Sequence, residues 1–588
     1  MKTVVDILEE RISSAMEAVS GQKGCAAIVA PATDLRFGDY QVNGIMALAK
    51  KIKINPRQLA EKVVERLKLD DICEKPEVAG PGFINLRLKP DFVAQNLLQI
   101  NADKERLGIE KTNKPQTIVV DFSGPNIAKQ MHVGHLRSTI IGDGICRLLE
   151  FEGHTVIRQN HIGDWGTQFG MLIAYHRRQI NSVADYVDGR ISSPLQVQDW
   201  EDFYKKAREL YDSDTSFAEE ARQCVVELQS GNPVMLSSWE RIVDWSRNEI
   251  YPIYKKINVT LKREDERGES FYNQFLPDVV KELRDKGLAV ESEGAVCVFP
   301  EGFKTKEGEP LPFIIQKSDG AYLYATTDLA ALKYRVEELK ADRIIYVTDA
   351  RQKQHFEMLF AVADKAGWAK RDMLHHVMFG SVLGDNGKPL KTRSGENVKL
   401  KELLDEAVER AGAVVEQKNP ELPKSEKDKI ANAVGIGAVK YADFSNNRTS
   451  DYVFSFDKML AMEGNTAPYM QYAYARIKSI ERKAGDVKKE LADVKNLDLT
   501  EPAEIDLGKQ LIRYGEAVES ALADYRPNYL TSFLYELAQK FSVFYTNCPV
   551  LDAAPDKRPT RLLLCDLTAK TIEHGLRELL GIEVVDKM

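Results

Sequence analysis

Cysteine is scarce and unpatterned in this chain of 588 residues. The seven cysteines, at positions 25, 73, 146, 224, 297, 548 and 565, are odd in number and form no CxxC. That excludes a disulfide framework and a cysteine zinc site, and leaves reduced, mostly buried thiols. Long apolar runs are missing too, since none approaches the roughly 18 residues that would cross a bilayer. The opening "MKTVVDILEERISSAMEAV" carries Asp6, Glu9, Glu10 and Glu17. It therefore reads as an amphipathic helix rather than a secretory leader, and the cytoplasm is the expected compartment. No internal repeat, low-complexity tract or GxxxxGK[ST] loop is present. Positive charge is outnumbered, 81 Lys and Arg against 89 Asp and Glu, for a net charge of −8. As a sum this argues against a nucleic-acid partner, although a local basic face can coexist with it.

What is present is ordinary for a globular chain: 43% hydrophobic and 29% charged residues. The length exceeds what one core supports, so three or four domains are expected. Residues 1 to about 110 mix helical patterns with short strand-like runs such as "CAAIVA" and "FINLRL". "NPRQLAEKVVERL" reads as a helix with Asn55 as cap and Pro56 at its first position. "LGIEKTNKPQ" reads as a linker. "TIVVDFS", a helix closed by Gly153, and "TVIRQNH" then form a strand–loop–helix–strand unit, the sign of a parallel α/β sheet. Residues 177 to 260 read as a helical insertion. The α/β rhythm resumes near 313 with "AYLYATT" as a strand, "DLAALKYRVEELK" as a helix, and "RIIYVTD" and "HHVMFGSVL" as strands. From about 400 helical spacing dominates. The fold class expected is α/β, a doubly wound Rossmann-like parallel sheet, with an α+β domain before it and an all-α domain after it.

Between the first strand and its helix lies "PNIAKQMHVGH", residues 125–135. His132 and His135, three apart, allow three readings: a metal pair, a polar turn, or a nucleotide site. No carboxylate or cysteine with ligand spacing lies nearby, and Lys129 would repel a cation. The position favours the nucleotide. In doubly wound folds ligands bind beyond the carboxyl ends of strands, and a helix N-terminus offers free N–H groups to phosphate. Gly134 allows a flat group close to the backbone. A second loop, "GKPLKTRSG", follows the last strand and holds Lys388, Lys391 and Arg393. Alone it reads equally as a solvated charged loop. Paired with the HxGH turn, it would clamp one polyphosphate from two sides.

HxGH after one strand and a KMSKS-like loop after the last resemble the class I aminoacyl-tRNA synthetases. The longer runs "DFSGPNIAKQMHVGHLRSTIIGD", "NHIGDWGTQFG", "YLYATTDLAALKYR" and "YVTDARQKQHF" resemble the arginyl-tRNA synthetases. The likeness extends from "FGDYQVNGIMALAK" and "GPGFINLRL" to "YMQYAYARI" and the final Met588. One departure from the class pattern is the missing second lysine of KMSKS, with Arg393 near its place. In arginyl enzymes the lysine upstream of HxGH, here Lys129, takes over part of its role.

The resemblance implies two steps. The arginine carboxylate attacks the α-phosphate of ATP, releasing pyrophosphate, and the terminal adenosine of tRNA(Arg) then takes the arginyl group, releasing AMP. It assigns Pro125, Asn126, Lys129, His132, Gly134 and His135 to ATP, with Lys388, Lys391 and Arg393 on the opposing loop and Mg2+ as counter-ion, not a tightly bound metal. L-arginine is assigned to Asp121, Asn126, Tyr324, Asp328 and Gln352. For Asp328 the chemistry agrees, because a guanidinium wants a planar carboxylate, although a helix N-cap also fits the position. The implied layout is a tRNA-elbow domain over 1–112, a catalytic domain over 113–400, a helical stem over 401–455 and a DALR-type anticodon-binding domain over 456–588. Phe83 and Asn85, then Tyr469, Gln471, Tyr472 and Arg476, are the implied tRNA contacts, although Phe83 and the tyrosine stripe read equally well as core. Lys51, Lys53, Arg57, Lys62 and Arg66 form a basic stretch or a solvated face. A monomer without membrane attachment is implied. Two other classes remain: a nucleotidyltransferase acting without tRNA, and an inactive RNA-binding relative.

Overall fold

The computed structural model describes residues 2–588 apart from 128, 182–199, 392–397 and 493. The chain divides into two compact units. One comprises 113–410 and 446–458; the other comprises 1–112, 411–445 and 459–588. The N-terminal segment and the C-terminal helices, far apart in sequence, thus belong to one unit.

The unit containing 113–410 is built on a parallel sheet with strand order Leu374–His376, Arg343–Tyr346, Thr117–Asp121, Thr155–Gln159. Ile118, Val119 and Val120 are fully buried, so an uninterrupted apolar run makes a strand covered on both faces. From Thr117–Asp121 the chain crosses through the Val133–Glu152 helix to Thr155–Gln159 on one side. From Arg343–Tyr346 it crosses through the Lys353–Lys365 helix to Leu374–His376 on the other. The winding reverses between the two central strands, where Tyr346 pairs with Asp121 in register. That reversal opens a crevice at the carboxyl ends of the strands. Gly142 lets the first crossover helix lie directly on the sheet exit, because a Cβ there would stand 2.3 Å from Cβ and Cγ of Phe122. Gly153, at φ 107°, ends that helix in the left-handed conformation as its position predicts.

Helices Thr167–Asn181, Trp200–Ser213, Thr215–Gln229 and Pro233–Lys256 form the insertion, so the helical layer starts about ten residues before the expected 177. A three-stranded antiparallel sheet, Ala289–Ser292, Ala295–Val298 and Phe313–Gln316, has no counterpart in the sequence reading. Its strands are four residues long or less, too short for a periodicity of two to stand out. "AYLYATT" is corrected as well. The helix begins at Tyr324 and runs to Glu337. Two β-branched threonines are drawn into its first turn because the Thr326 hydroxyl reaches back to the Leu323 N–H and donates to the Ile315 carbonyl.

In the other unit Asn55 caps the Pro56–Arg66 helix through Arg57 and Gln58 N–H, as expected. The N-terminal strands Val29–Pro31, Tyr40–Val42, Phe83–Leu86 and Glu77–Ala79 form an antiparallel sheet in that order. The C-terminal helices meet this segment through Tyr40, whose hydroxyl donates to Glu516 at 2.7 Å, and through a 2.9 Å ion pair between Lys509 and Asp39. All seven cysteines are free thiols and six are buried.

Candidate active site

The loop leaving Thr117–Asp121 is held in an unusual shape by named partners. Ser123 and Gly124 take left-handed backbone at φ 72° and 51°. The Ser123 hydroxyl lies 2.9 Å from the Thr139 hydroxyl and 2.7 Å from the Tyr254 hydroxyl, while Gly124 N–H donates to Asn160 Oδ1 at 3.0 Å. These buried contacts offset the cost of a non-glycine residue in that region. The chain then pairs with Gly163, which accepts from Ile127 N–H and donates to the Pro125 carbonyl. A Cβ on Gly163 would stand 2.4 Å from Oδ1 of the exposed Asn126 side chain, so any larger residue there would turn that amide away from its present place. Pro125 itself is buried.

His132 is the N-cap of the Val133–Glu152 helix. Its Nδ1 accepts from Gly134 N–H at 3.0 Å, and its own N–H donates to His135 Nδ1 at 3.2 Å. The two rings lie 4.0 Å apart between centroids. A Cβ on Gly134 would stand 2.8 Å from His132 Cε1, so the flat group over this glycine is the His132 ring itself. An accepting Nδ1 in a neutral imidazole leaves the proton on Nε2. Burial, then the neighbouring Lys129, lowers the His132 pKa; burial, then His132, lowers that of His135 to about 3. Both rings are therefore neutral near pH 7, each presenting a fixed Nε2–H donor. Lys129 is exposed, with its ammonium 5.3 Å from the centre of the Tyr204 ring on the insertion.

Lys388 and Lys391 are exposed on the turn after Val382–Leu383, where Gly384 N–H donates to the Lys388 carbonyl and Leu390 N–H to the Val382 carbonyl. Arg393 lies outside the described residues. The chain beyond this loop returns to the first one: Val133 N–H donates to the Val398 carbonyl and Leu400 N–H to the Met131 carbonyl. The two cationic loops therefore share a backbone ladder, which sequence spacing could not reveal.

Asp328 sits in the second turn of Tyr324–Glu337, not at its cap, so the capping reading is overturned. Its Oδ2 lies 2.6 Å from His355 Nε2. Tyr324, one turn earlier, is 65% exposed with its ring 5.0 Å from His355, and Gln352 is exposed just before the next helix. Asp121 is placed differently from expectation. Its Oδ2 is paired at 2.7 Å with Arg335, which is fully buried and also donates to Gln159 Oε1 at 2.6 Å. A carboxylate already holding a buried guanidinium is not an open anchor for substrate.

Glu269 was missed in the sequence. It follows Gly268, whose close contact with the Asp164 carboxylate brings it beside that group. Burial, then the charges of Asp164 and Asp328, raise its pKa to about 7. A half-buried carboxyl that keeps its proton to about 7 beside the charges of Asp164 and Asp328 would favour a cation next to it. Nothing in "RGESFY" signals this, because the partner Asp328 is brought near only by the fold. We expect catalytic efficiency for a cationic substrate to rise with pH through about 7, as Glu269 loses its proton, and Glu269→Gln to flatten that rise. A pH profile of kcat/KM with the same inflection in the variant would refute the assignment.

Among the described residues no group of three or more His, Cys, Asp or Glu side chains could hold a metal, and no helix is long and apolar enough to cross a membrane. On the proposed tRNA faces, Asn85 is 8% exposed with its Oδ1 accepting from Gln41, and Phe83 is half-buried. Gln471 is corrected: it is fully buried, and its amide donates to the backbone carbonyls of Ala433 and Glu583. Tyr472 and Arg476 do reach the surface. The guanidinium lies 4.7 Å from the Tyr472 ring centre and 5.5 Å from that of Tyr545, an exposed aromatic the sequence reading missed. Tyr469 is half-buried against Tyr535.

Comparison with known proteins settles the family. Residues 96–456 match the catalytic domain of class I tRNA synthetases of the arginine type. The chain is 51% identical over 588 residues to an arginine–tRNA ligase of Synechococcus sp., covering 99% of each. The chain belongs to the arginyl-tRNA synthetases. Residues 6–88 match the arginyl-tRNA synthetase N-terminal domain and 470–588 the DALR anticodon-binding domain. Among solved structures, the arginyl-tRNA synthetase of Plasmodium falciparum superposes with a TM-score of 0.85 at 31% identity, and that of Thermus thermophilus with 0.82 at 25%, each covering both chains fully. For this synthetase the expected fold, a parallel-sheet catalytic domain with an N-terminal domain and a helical C-terminal DALR domain, is borne out.

Proposed function

We propose how this arginine–tRNA ligase divides its reaction among its own residues. The observation that supports the reading is the Asp328 carboxylate, met at 2.6 Å by His355 Nε2 with the exposed Tyr324 one turn before it, together with Glu269, whose proton the charge of Asp328 helps retain. The substrate guanidinium donates to Asp328 in a planar fork, and its charge draws Glu269 into the ionised form. His355 holds Asp328 in orientation, with Tyr324 and Gln352 at the rim. Asn126 holds the α-amino and carboxylate end, while Asp121 stays committed to the buried Arg335. ATP, carrying its Mg2+ as part of the substrate, lies against Pro125, Asn126 and Gly134. His132 and His135 donate from Nε2, while Lys129, Lys388, Lys391 and Arg393 balance the phosphate charge.

The arginine carboxylate oxygen forms a bond to the α-phosphorus as the bond to pyrophosphate breaks. A ribose hydroxyl of the tRNA 3′-terminal adenosine then attacks the arginyl carbonyl, and AMP leaves. No enzyme group is bonded to the substrate, so the residues act by position and charge. Tyr472, Arg476 and Tyr545 offer a stack for anticodon bases, with Tyr469 beside it, and the strand carrying Phe83 and the buried Asn85 serves the tRNA elbow. The acting species is a monomer in the cytoplasm with L-arginine, ATP and tRNA(Arg) as partners.

The deciding assay is ATP–pyrophosphate exchange with and without tRNA, comparing arginine with lysine and with citrulline. Citrulline has nearly the shape of arginine without its charge. We expect exchange with arginine, and about 10⁴-fold less efficiency with citrulline, which leaves the paired carboxylates unanswered. Robust exchange with another amino acid, or none under any condition, would reject the reading.

A further inference from the structure

The loop carrying Lys388 and Lys391 is tied to the histidine turn at both ends, by different means. Its return, as described above, is a backbone ladder. Its departure is held by a buried side chain from the histidine helix as well as by backbone pairing. Arg137 lies two residues beyond His135 on the same helix and is 1% exposed. Its Nη1 donates to the Gly380 carbonyl at 2.8 Å and to the Ser450 carbonyl at 3.1 Å. The guanidinium lies over the Tyr452 and Phe379 rings, 5.2 and 5.8 Å from their centres.

Residues 446–454 are the third partner. Gly380 N–H donates to the Arg448 carbonyl, Tyr452 N–H to the Ser381 carbonyl and Phe454 N–H to the Leu383 carbonyl. Asp451 Oδ1 accepts from Ser381 N–H at 2.6 Å, and Val382–Leu383 runs parallel to Tyr452–Val453. The approach is close enough that a Cβ on Gly380 would stand 2.6 Å from Asp451 Oδ1 and 2.7 Å from the Ser450 carbonyl carbon. A planar guanidinium can bond two carbonyls and lie on two aromatic faces at once, which an ammonium cannot reproduce.

We propose that Arg137 is a positioning residue that sets the departure of the second phosphate loop against the HxGH helix, keeping the two halves of the ATP clamp in register. It acts through Gly380 and the 446–454 run, without touching substrate. The proposal rests on the reading that Lys388 and Lys391 serve the ATP phosphates.

The test uses the full chain with tRNA present, in arginine-dependent exchange. In Arg137→Lys, KM for ATP is expected to rise about tenfold or more and kcat to fall by a similar factor, while KM for arginine stays within about twofold, because a misplaced clamp costs orientation at the phosphates alone. Gly380→Ala, which pushes the loop departure away from the 446–454 run, is expected to show the same split. Unchanged ATP parameters in Arg137→Lys overturn the proposal. So does a rise in both KM values together with a lowered melting temperature, the mark of a purely structural role. If Arg137→Lys does not fold, Tyr452→Leu, which removes one face of the stack, reads the same split. Lys388→Ala separates the two ideas: a normal KM for ATP there defeats the underlying reading rather than the role of Arg137.

Discussion

Asp328→Ala is expected to lower kcat/KM for arginine by about 10²–10⁴-fold while leaving ATP binding intact. Removing one partner of a desolvated charge pair costs about 3–5 kcal/mol, because the substrate guanidinium is then buried against nothing. The loss extends beyond one contact, since His355 loses the oxygen it meets at 2.6 Å and with it its orientation toward the site. Asp328→Asn is expected to lose almost as much, because one arm of the amide presents N–H groups to N–H groups. Arginine-dependent exchange gives the efficiency and calorimetric titration with ATP gives the retained site. Near-normal efficiency in the alanine variant would remove Asp328 from the arginine pocket.

The second large effect belongs to His135. Deleting one donor aimed at charge that develops during reaction costs about 10²–10³-fold in rate. His135→Ala is expected to lose that much in adenylate formation, measured by single-turnover kinetics, with KM for arginine unchanged. The folded ring takes a proton only at about 3, whereas an unfolded histidine takes one near 6.5. Below 6.5 the unfolded chain therefore binds the proton that the folded chain refuses, and stability falls as the medium is acidified toward 3. The variant should lose less melting temperature between pH 7 and 5 than the parent chain does. A similar loss in both would contradict the assignment, as would an adenylation rate with a histidine inflection above pH 5 that vanishes in the variant.

The sheet was legible because its two central strands are buried runs and its first crossover helix ends on glycine. The HxGH turn was legible because histidine is rare in the chain, so two in four residues stand out. The carboxylate at 328 was found by chemistry and resemblance, but its neighbours were not. Glu269 and His355 come from separate elements that only the fold brings to Asp328, and neither has a spacing that marks it. The same limit misplaced Asp121 and Gln471. Each has the right residue type at the right motif position, yet a buried arginine claims the first and two backbone carbonyls claim the second. The helix start at Tyr324 was missed because a β-branched pair argues for strand locally, while the Thr326 hydroxyl bonds that favour the helix involve Leu323 and a residue eleven positions earlier, Ile315.

The hydrogen bonds inside the histidine turn carry one more consequence. Each ring spends its Nδ1 lone pair on a backbone N–H, and its Nε2 lone pair is replaced by a proton. Neither nitrogen is then available to a transition ion unless that proton is stripped or a helix-capping bond is broken. A pair of imidazoles 4.0 Å apart would otherwise be a natural trap for stray zinc or nickel. The cap that aims the two rings at the nucleotide also makes them chemically inert toward the ions that the bare motif would attract.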